Sequence, residues 1–221
     1  MRKIAIFGFA LLLGLAAVSA ENRLNNPQAT GGSVALPPAP HGEATEALFR
    51  GDMVAEIGLG CSNGSGTSGG PNDWAVGVTA TLTPPFGIIQ TTYNVFTNVS
   101  PSLTAFTFKA WQPGGSPGAE IGAQALGAAG ASQGNHTVAV SPAITITTPS
   151  LYFGFYQAQT AAAMRLGEDT TTSAGTSFIR APGCGLSGWG TVDSIGYPGN
   201  WVMRAIVDDT IPVELMSIGI E

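Results

Sequence analysis

From Leu48 onward the chain alternates short apolar or mixed runs with clusters of Gly, Pro, Asn and Ser. The clearest run reads FTFKAW, with Phe106 and Phe108 on one face and Lys109 on the other. In the late run WVMRAIV, Trp201, Met203, Ala205 and Val207 share a face. A period of two marks a strand with one buried side. Runs at 49–59, 74–82, 88–96, 103–111, 136–140, 143–147, 151–156, 177–180, 201–207 and 213–220 predict about ten short strands. Strands of this length, separated by frequent turn signals, predict an all-β fold: an antiparallel β-sandwich, jelly-roll-like. Two Ala-rich stretches, 119–129 and 157–166, are the candidates for helix, although Gly122 and Gly127 weaken the first. With at most one or two short helices, the chain lacks the crossovers of a doubly wound α/β sheet.

The first twenty residues have a different texture. Arg2 and Lys3 precede an apolar run over 4–17, and Val18-Ser19-Ala20 supplies small residues before a cleavage point after Ala20. This pattern predicts a secretory signal peptide over 1–20 and a secreted protein, extracellular or at the cell surface. The alternative, a membrane anchor, is disfavoured because a bilayer span needs roughly 20 apolar residues. No later stretch of the sequence is long and apolar enough to span a membrane. Residues 21–47 hold no sustained period and carry Asn-Pro, Gly-Gly and Pro-Pro-Ala-Pro, so they predict a linker or an ordered but irregular arm. Residues 48–221 are then one β-sandwich domain, without a clear internal repeat.

Composition narrows the classes. The 221 residues include 31 Gly and 15 Pro but only 10% charged residues. Gly has no three-residue period, which excludes collagen, and charged helix formers are too few for a coiled coil. Loss of the leader leaves six basic residues against fourteen acidic ones, a net charge of −8. Such a surface disfavours nucleic acid and anionic lipid as partners.

Cys61 and Cys184 are the only cysteines, and both lie in Gly-rich stretches, GLGCSNG and APGCGLSG. In an oxidising compartment an even count predicts a disulfide; the alternative is two buried free thiols.

Candidate chemistry is sparse. GxSxG occurs around Ser62, Ser68, Ser116 and Ser132. A nucleophile elbow also needs a strand before it, a helix after it and a His base. Beyond the leader, His41 lies in the arm, and His136 follows Ser116 with no Asp between them. Adjacent carboxylates occur at Glu168-Asp169 and Asp208-Asp209. Neighbours on a strand point to opposite faces, so neither pair has the facing geometry of a glycosidase. No catalytic residues are assigned, and the chain is read as a non-enzyme. The same acids, with Asn72, Asp73, Asp193 and backbone carbonyls, are the pool from which a structural calcium ion could draw ligands, and no other cofactor is expected. No Asp-x-Asp-x-Asp pattern selects among them. The tripeptide Arg50-Gly51-Asp52 falls in a run that reads as the first strand, not as a loop tip. Trp74, Trp189 and Tyr197 lie near the loop-like stretches GGPNDW, GLSGWG and GYPGN. Loop aromatics can offer a flat apolar face to a sugar ring, and these three are the candidate ligand-binding residues. The alternative reading is that they plug the ends of the sandwich.

Four pieces, AFTFKAWQPGGSPGAEIG, LYFGFYQ, GNWVMRAIVD and PVELMSIGIE, resemble uncharacterised β-sandwich modules of bacterial secreted and surface proteins, over roughly residues 50–208. The resemblance implies a jelly-roll-like fold and carries no catalytic residues with it. The last piece resembles the stretch that often precedes a C-terminal sorting anchor; ending at Glu221, the sequence predicts release or non-covalent retention. The expected function is non-catalytic binding of polysaccharide or extracellular matrix. One alternative is self-association into a surface structure by edge-strand addition. A small secreted hydrolase is the other.

Overall fold

The computed structural model describes residues 23–25, 34–37, 45–62, 69–98, 100–159 and 163–210. The leader, the strand expected at 213–220, His41 and Ser68 lie outside them. The described residues form an all-β, antiparallel sandwich with a single four-residue α-helix, α1 (Gly127–Gly130).

The first sheet contains β1 (Arg23–Asn25), β3 (Thr45–Phe49), β5 (Ile57–Ser62), β7 (Phe86–Asn98), β10 (Gly134–Ile146), β12 (Met164–Asp169), β15 (Asn200–Trp201) and β16 (Met203–Asp208). Its long strand β7 pairs with β10, with β16 over 87–93, and with β12 over 95–98. The second sheet runs β14-β13-β6-β11-β8-β9: β6 (Asn72–Thr79), β8 (Phe106–Trp111), β9 (Glu120–Ala125), β11 (Ser150–Gln157), β13 (Ser177–Ala181) and β14 (Leu186–Thr191). A separate pair, β2 (Val34–Ala35) with β4 (Val54–Ala55), joins residues 34–35 to the chain after β3.

The core is aromatic. Trp74, Phe86, Tyr93, Phe106, Phe108, Phe153, Phe155 and Trp201 are all buried. Tyr93 bridges the sheets: its ring lies 4.3 Å from that of Phe155, and its hydroxyl donates to the Gly130 carbonyl at 2.9 Å. That bond satisfies a polar atom that burial would otherwise penalise.

The two sides of the sandwich are closed differently. On one, Gln124 of β9 donates to the Ala139 carbonyl and accepts from the Ser141 N–H, both on β10. On the other, Cys61 of β5 is bridged to Cys184, which lies in the turn between β13 and β14. Around that bridge the Cys61 N–H donates to Asn72 Oδ1 at 2.9 Å, and the Trp74 indole donates to the Leu59 carbonyl at 3.0 Å.

Several expected elements differ. The run 49–59 is not one strand: Gly51 and Met53 have φ of +72° and +63°, which turn the chain between β3 and β4. A Cβ on Gly51 would collide with the Asp169 carboxylate, so only glycine fits there. Within 119–129, residues 120–125 form an edge strand on β8, because ladder pairing outweighs alanine's weak helical preference. Of 157–166, Gln157 ends β11 and 164–166 begin β12. The runs at 136–140 and 143–147 are one strand whose register shifts between Ala139 and Ile144. The stretch read as a linker or irregular arm contributes β1, β2 and the start of β3, so the expected boundary at 47/48 falls inside a strand.

The bridge joins residues 123 apart. Chain entropy then gives it a stabilising effect of about 4–5 kcal/mol. We expect C61S/C184S to lose that much in urea unfolding; a loss under about 1 kcal/mol would contradict a chain-entropy origin of the stabilisation.

Candidate functional site: the outer face of the second sheet

The strands of the second sheet alternate as their period requires. Trp74 and Val76 of β6, Phe106 and Phe108 of β8, Phe153 and Phe155 of β11 and Ile179 of β13 point into the core. The residues between them point outward. Instead of a polar surface, they form a second apolar cluster of Ala75, Trp111, Tyr152 and Phe178, with Trp189 of β14 packed against it.

The register explains how these rings meet. Gly154 stands opposite both Ala75 and Lys109, and Phe178 stands opposite Ala75. These small residues make a floor between the aromatic flanks. A Cβ on Gly154 would collide with the Trp74 carbonyl, so close strand approach demands glycine there. β8 and β14 are separated by three strands. Four spacings put their backbones roughly 19 Å apart. Yet the Trp111 and Trp189 rings are 5.5 Å apart, edge to face. Side chains stand roughly perpendicular to a sheet, so the two indoles must lean toward each other over the small residues of the floor.

A polar row borders the cluster. Arg180, Asp73 and Tyr156 are successive cross-strand neighbours. Asp73 Oδ2 accepts from Arg180 Nε and Nη2, both at 3.0 Å. Asp73 is 3% exposed and Arg180 39%. Asp73 Oδ1 is buried without a donor. Burial pushes the Asp73 carboxyl above its usual range, and the Arg180 charge pulls against that shift. Two cations cover aromatic faces: Arg180 over Trp189 at 5.1 Å and Lys109 over Tyr156 at 4.7 Å. Solvent therefore meets Trp189, Tyr156, Arg180 and Lys109, while Trp111, Tyr152 and Phe178 support them from below.

The three aromatics expected to bind ligand are dispersed. Trp74 is fully buried and belongs to the core. The GGPN stretch ends in strand β6 from Asn72, so its indole is drawn between the sheets. Tyr197 is half-buried against the end of the core, after the turn at 193–195. Only Trp189 lies on the outer face. Among the described residues no ring contact joins any two of the three.

The described GxSxG serines do not form nucleophile elbows. Ser62 is a buried strand residue that accepts from Arg165. Ser116 lies in an irregular turn followed by strand β9, not a helix. Ser132 Oγ donates to the Ala129 carbonyl, and His136 Nε2 lies 2.7 Å from the Ser132 carbonyl oxygen. A nitrogen that donates to a carbonyl is not a base for the hydroxyl 3.5 Å away.

One group of carboxylates gathers at one end of the first sheet. Asp52, Glu56 and Asp169 each offer one oxygen within 4.8 Å of the others, close enough for one cation to touch all three. Several of these oxygens already accept backbone N–H groups: Asp169 from Asp52 and Thr171, and Glu56 from Thr170. Asp52 also accepts from Val54, so the Arg-Gly-Asp tripeptide is used to build this turn. Glu168 points the other way, on the core side with Met164 and Leu166. It is completely buried and neither carboxylate oxygen has a hydrogen-bond partner. Burial, then the charges of Asp193 and Asp169, push its carboxyl up to about 8.

Two measurements check this geometry. Acrylamide should quench one of the four tryptophans, and W189F should remove that component; equal quenching of all four would contradict the burial. The second concerns chelator-treated protein. Between the ordinary glutamate range and about 8, folded Glu168 holds a proton that the unfolded chain has released. Stability therefore falls as pH rises through that window, by at most about 1.4 kcal/mol per pH unit. E168Q should flatten that slope in melts at pH 5 to 8; an unchanged slope would exclude Glu168 as its source.

No family model matches the chain, and no curated protein matches it in sequence. Among solved structures it is similar to the cysteine protease and lectin-like domains of Cwp84, a surface layer associated protein of Clostridium difficile. The TM-score is 0.54 at 8% identity, over 77% of this chain and 37% of that one. The chain thus spans little more than a third of that protein's solved length, and the likeness is one of fold.

Proposed function

We propose that this chain is a secreted or cell-surface β-sandwich module that binds polysaccharide, without catalysis, through the outer face of its second sheet. One observation carries the reading: the outer face of the second sheet bears Trp189 and Tyr156 beside the Arg180–Asp73 pair, where a solvated sheet would carry polar residues. Flat rings bury the apolar face of a sugar at small entropy cost, and fixed polar groups beside them bond its hydroxyls. The rings below hold Trp189 in place, so little ordering remains for the ligand to impose. The disulfide suits an oxidising, extracellular setting. The fold likeness to a surface-layer-associated chain that includes a lectin-like domain supports the same reading.

Affinity electrophoresis against neutral glucan, chitin-like and uronate-containing polysaccharides tests it. Wild-type protein should be retarded by at least one class. W189A and Y156A should each weaken that retardation about tenfold, equivalent to roughly 1.4 kcal/mol of lost contact. Their melting temperatures should stay near wild type. W111A should instead unfold more easily, by about 3–5 kcal/mol, as for other buried aromatics. Retardation that survives both W189A and Y156A would refute the site.

A further inference from the structure

Among the described basic side chains, Arg50 alone lacks a partner. Lys109 and Arg180 pair with Glu120 and Asp73. Arg165 donates to the hydroxyls of Thr97 and Ser62, and Arg204 to the Pro37 carbonyl. No hydrogen bond or ion pair among the described residues engages the Arg50 guanidinium. Arg50 follows the end of β3 and lines a recess of about 200 Å³ on the outer face of the second sheet. The register builds this recess beside the aromatic cluster. Gly77 stands opposite Tyr152, Thr79 stands opposite Ser150, and the Gly77 N–H donates to the Thr176 carbonyl. A Cβ on Gly77 would collide with the Tyr152 ring, so the ring lies against that glycine and forms a wall. The Tyr152 hydroxyl donates to the Gly114 carbonyl at 2.9 Å, which fixes the wall to the turn after β8. The recess is polar without being acidic. The Thr79 and Ser150 hydroxyls lie 3.0 Å apart, Thr176 Oγ1 is buried with no hydrogen-bond partner, and no described Asp or Glu lines the space.

We propose that this recess binds the carboxylate of an acidic sugar, so that the polysaccharide taken by the outer face is a uronate-containing one. A guanidinium without a partner presents a planar fork of N–H donors, which matches a carboxylate in two parallel bonds. Thr176 adds a hydroxyl that has no other partner, and the Thr79 and Ser150 hydroxyls retain capacity to bond those of the sugar. The placement suits a polymer. Gly77 lies four residues along β6 from Asp73, a rise of roughly 13 Å. The Arg180–Trp189 end and the Arg50 end therefore share one face, with Tyr152 and Phe178 between them. The acidic balance of the chain repels densely charged anions, so a single matched carboxylate is favoured. The assignment rests on the outer face being the polysaccharide site, and it names the charge that the ligand carries.

The test is affinity electrophoresis of the full chain against polygalacturonate, its methyl ester, a neutral glucan and a sulfated glucan. Wild type should be retarded at least tenfold more strongly by polygalacturonate than by the methyl ester. R50Q should remove that preference while keeping the weaker retardation by the methyl ester and the wild-type melting temperature. R50K, which keeps the charge but not the fork, should lose most of the preference. R23Q, which removes the same charge from β1 on the first sheet, should keep it. T176V should reduce the preference with no change of charge, and W189A should weaken retardation by both polymers alike. Equal retardation by polygalacturonate and its methyl ester, a preference that survives R50Q, or one lost equally in R23Q would overturn the carboxylate subsite and leave the outer face as a binding site. Retardation by the neutral glucan but not by polygalacturonate would do the same. Stronger retardation by the sulfated glucan that also depends on Arg50 would overturn the carboxylate as the group bound. No retardation by any of the four polymers would overturn both the subsite and the polysaccharide reading.

Discussion

The seam where β5 meets β6 is the constraint on which the rest of the molecule depends. A sandwich of two curved sheets has no continuous ladder across its open sides, so something else must fix how they sit. Here a covalent bridge and two hydrogen bonds converge within a few residues. Cys61 is tied to Cys184, its N–H is held by Asn72, and the neighbouring Leu59 carbonyl is held by the Trp74 indole. Cys184 lies between β13 and β14, so the seam also positions Arg180 and Trp189, the exposed half of the outer face. On the other side β5 pairs with β12, the strand that carries Glu168 and Asp169. Both the aromatic face and the acidic end therefore hang from one anchored edge.

This arrangement separates two demands that conflict in a small domain. A binding face needs rigid apolar groups near water, whereas a stable core needs them away from it. Trp111, Tyr152 and Phe178 resolve the conflict by forming a second layer against which Trp189 packs. Gly154 makes that layer possible, because a Cβ there would collide with the Trp74 carbonyl and force apart the strands that carry the rings.

Much of the fold is legible in the sequence because period-two alternation is a local property. FTFKAW and MRAIV announce their inner faces, and the two cysteines announce their bridge. The outer aromatic face is not legible for a physical reason. LYFGFYQ is aromatic on both faces, so alternation disappears and Tyr152 and Tyr156 read as core alongside Phe153 and Phe155. Trp74 reads as a loop residue because Gly, Pro and Asn precede it, although β6 starts at Asn72. The buried acid is half legible. Adjacency of Glu168 and Asp169 places them on opposite faces, but which face is sealed depends on Trp201 and Gly199, more than thirty residues away. The edge strand β9 is hidden for a similar reason: its alanines and glycines acquire strand character only from β8.

The claim that the outer face of the second sheet is where this molecule meets its ligand is tested most directly by following the four tryptophan indole N–H signals in a nitrogen–proton correlation spectrum during polysaccharide titration. Trp74 and Trp201 donate to backbone carbonyls in the core and serve as internal controls. The account predicts that the Trp189 signal shifts first and furthest, that Trp111 follows through ring contact, and that Trp74 and Trp201 stay in place. Shifts confined to the core indoles, or a ligand that binds while Trp189 does not move, would contradict it.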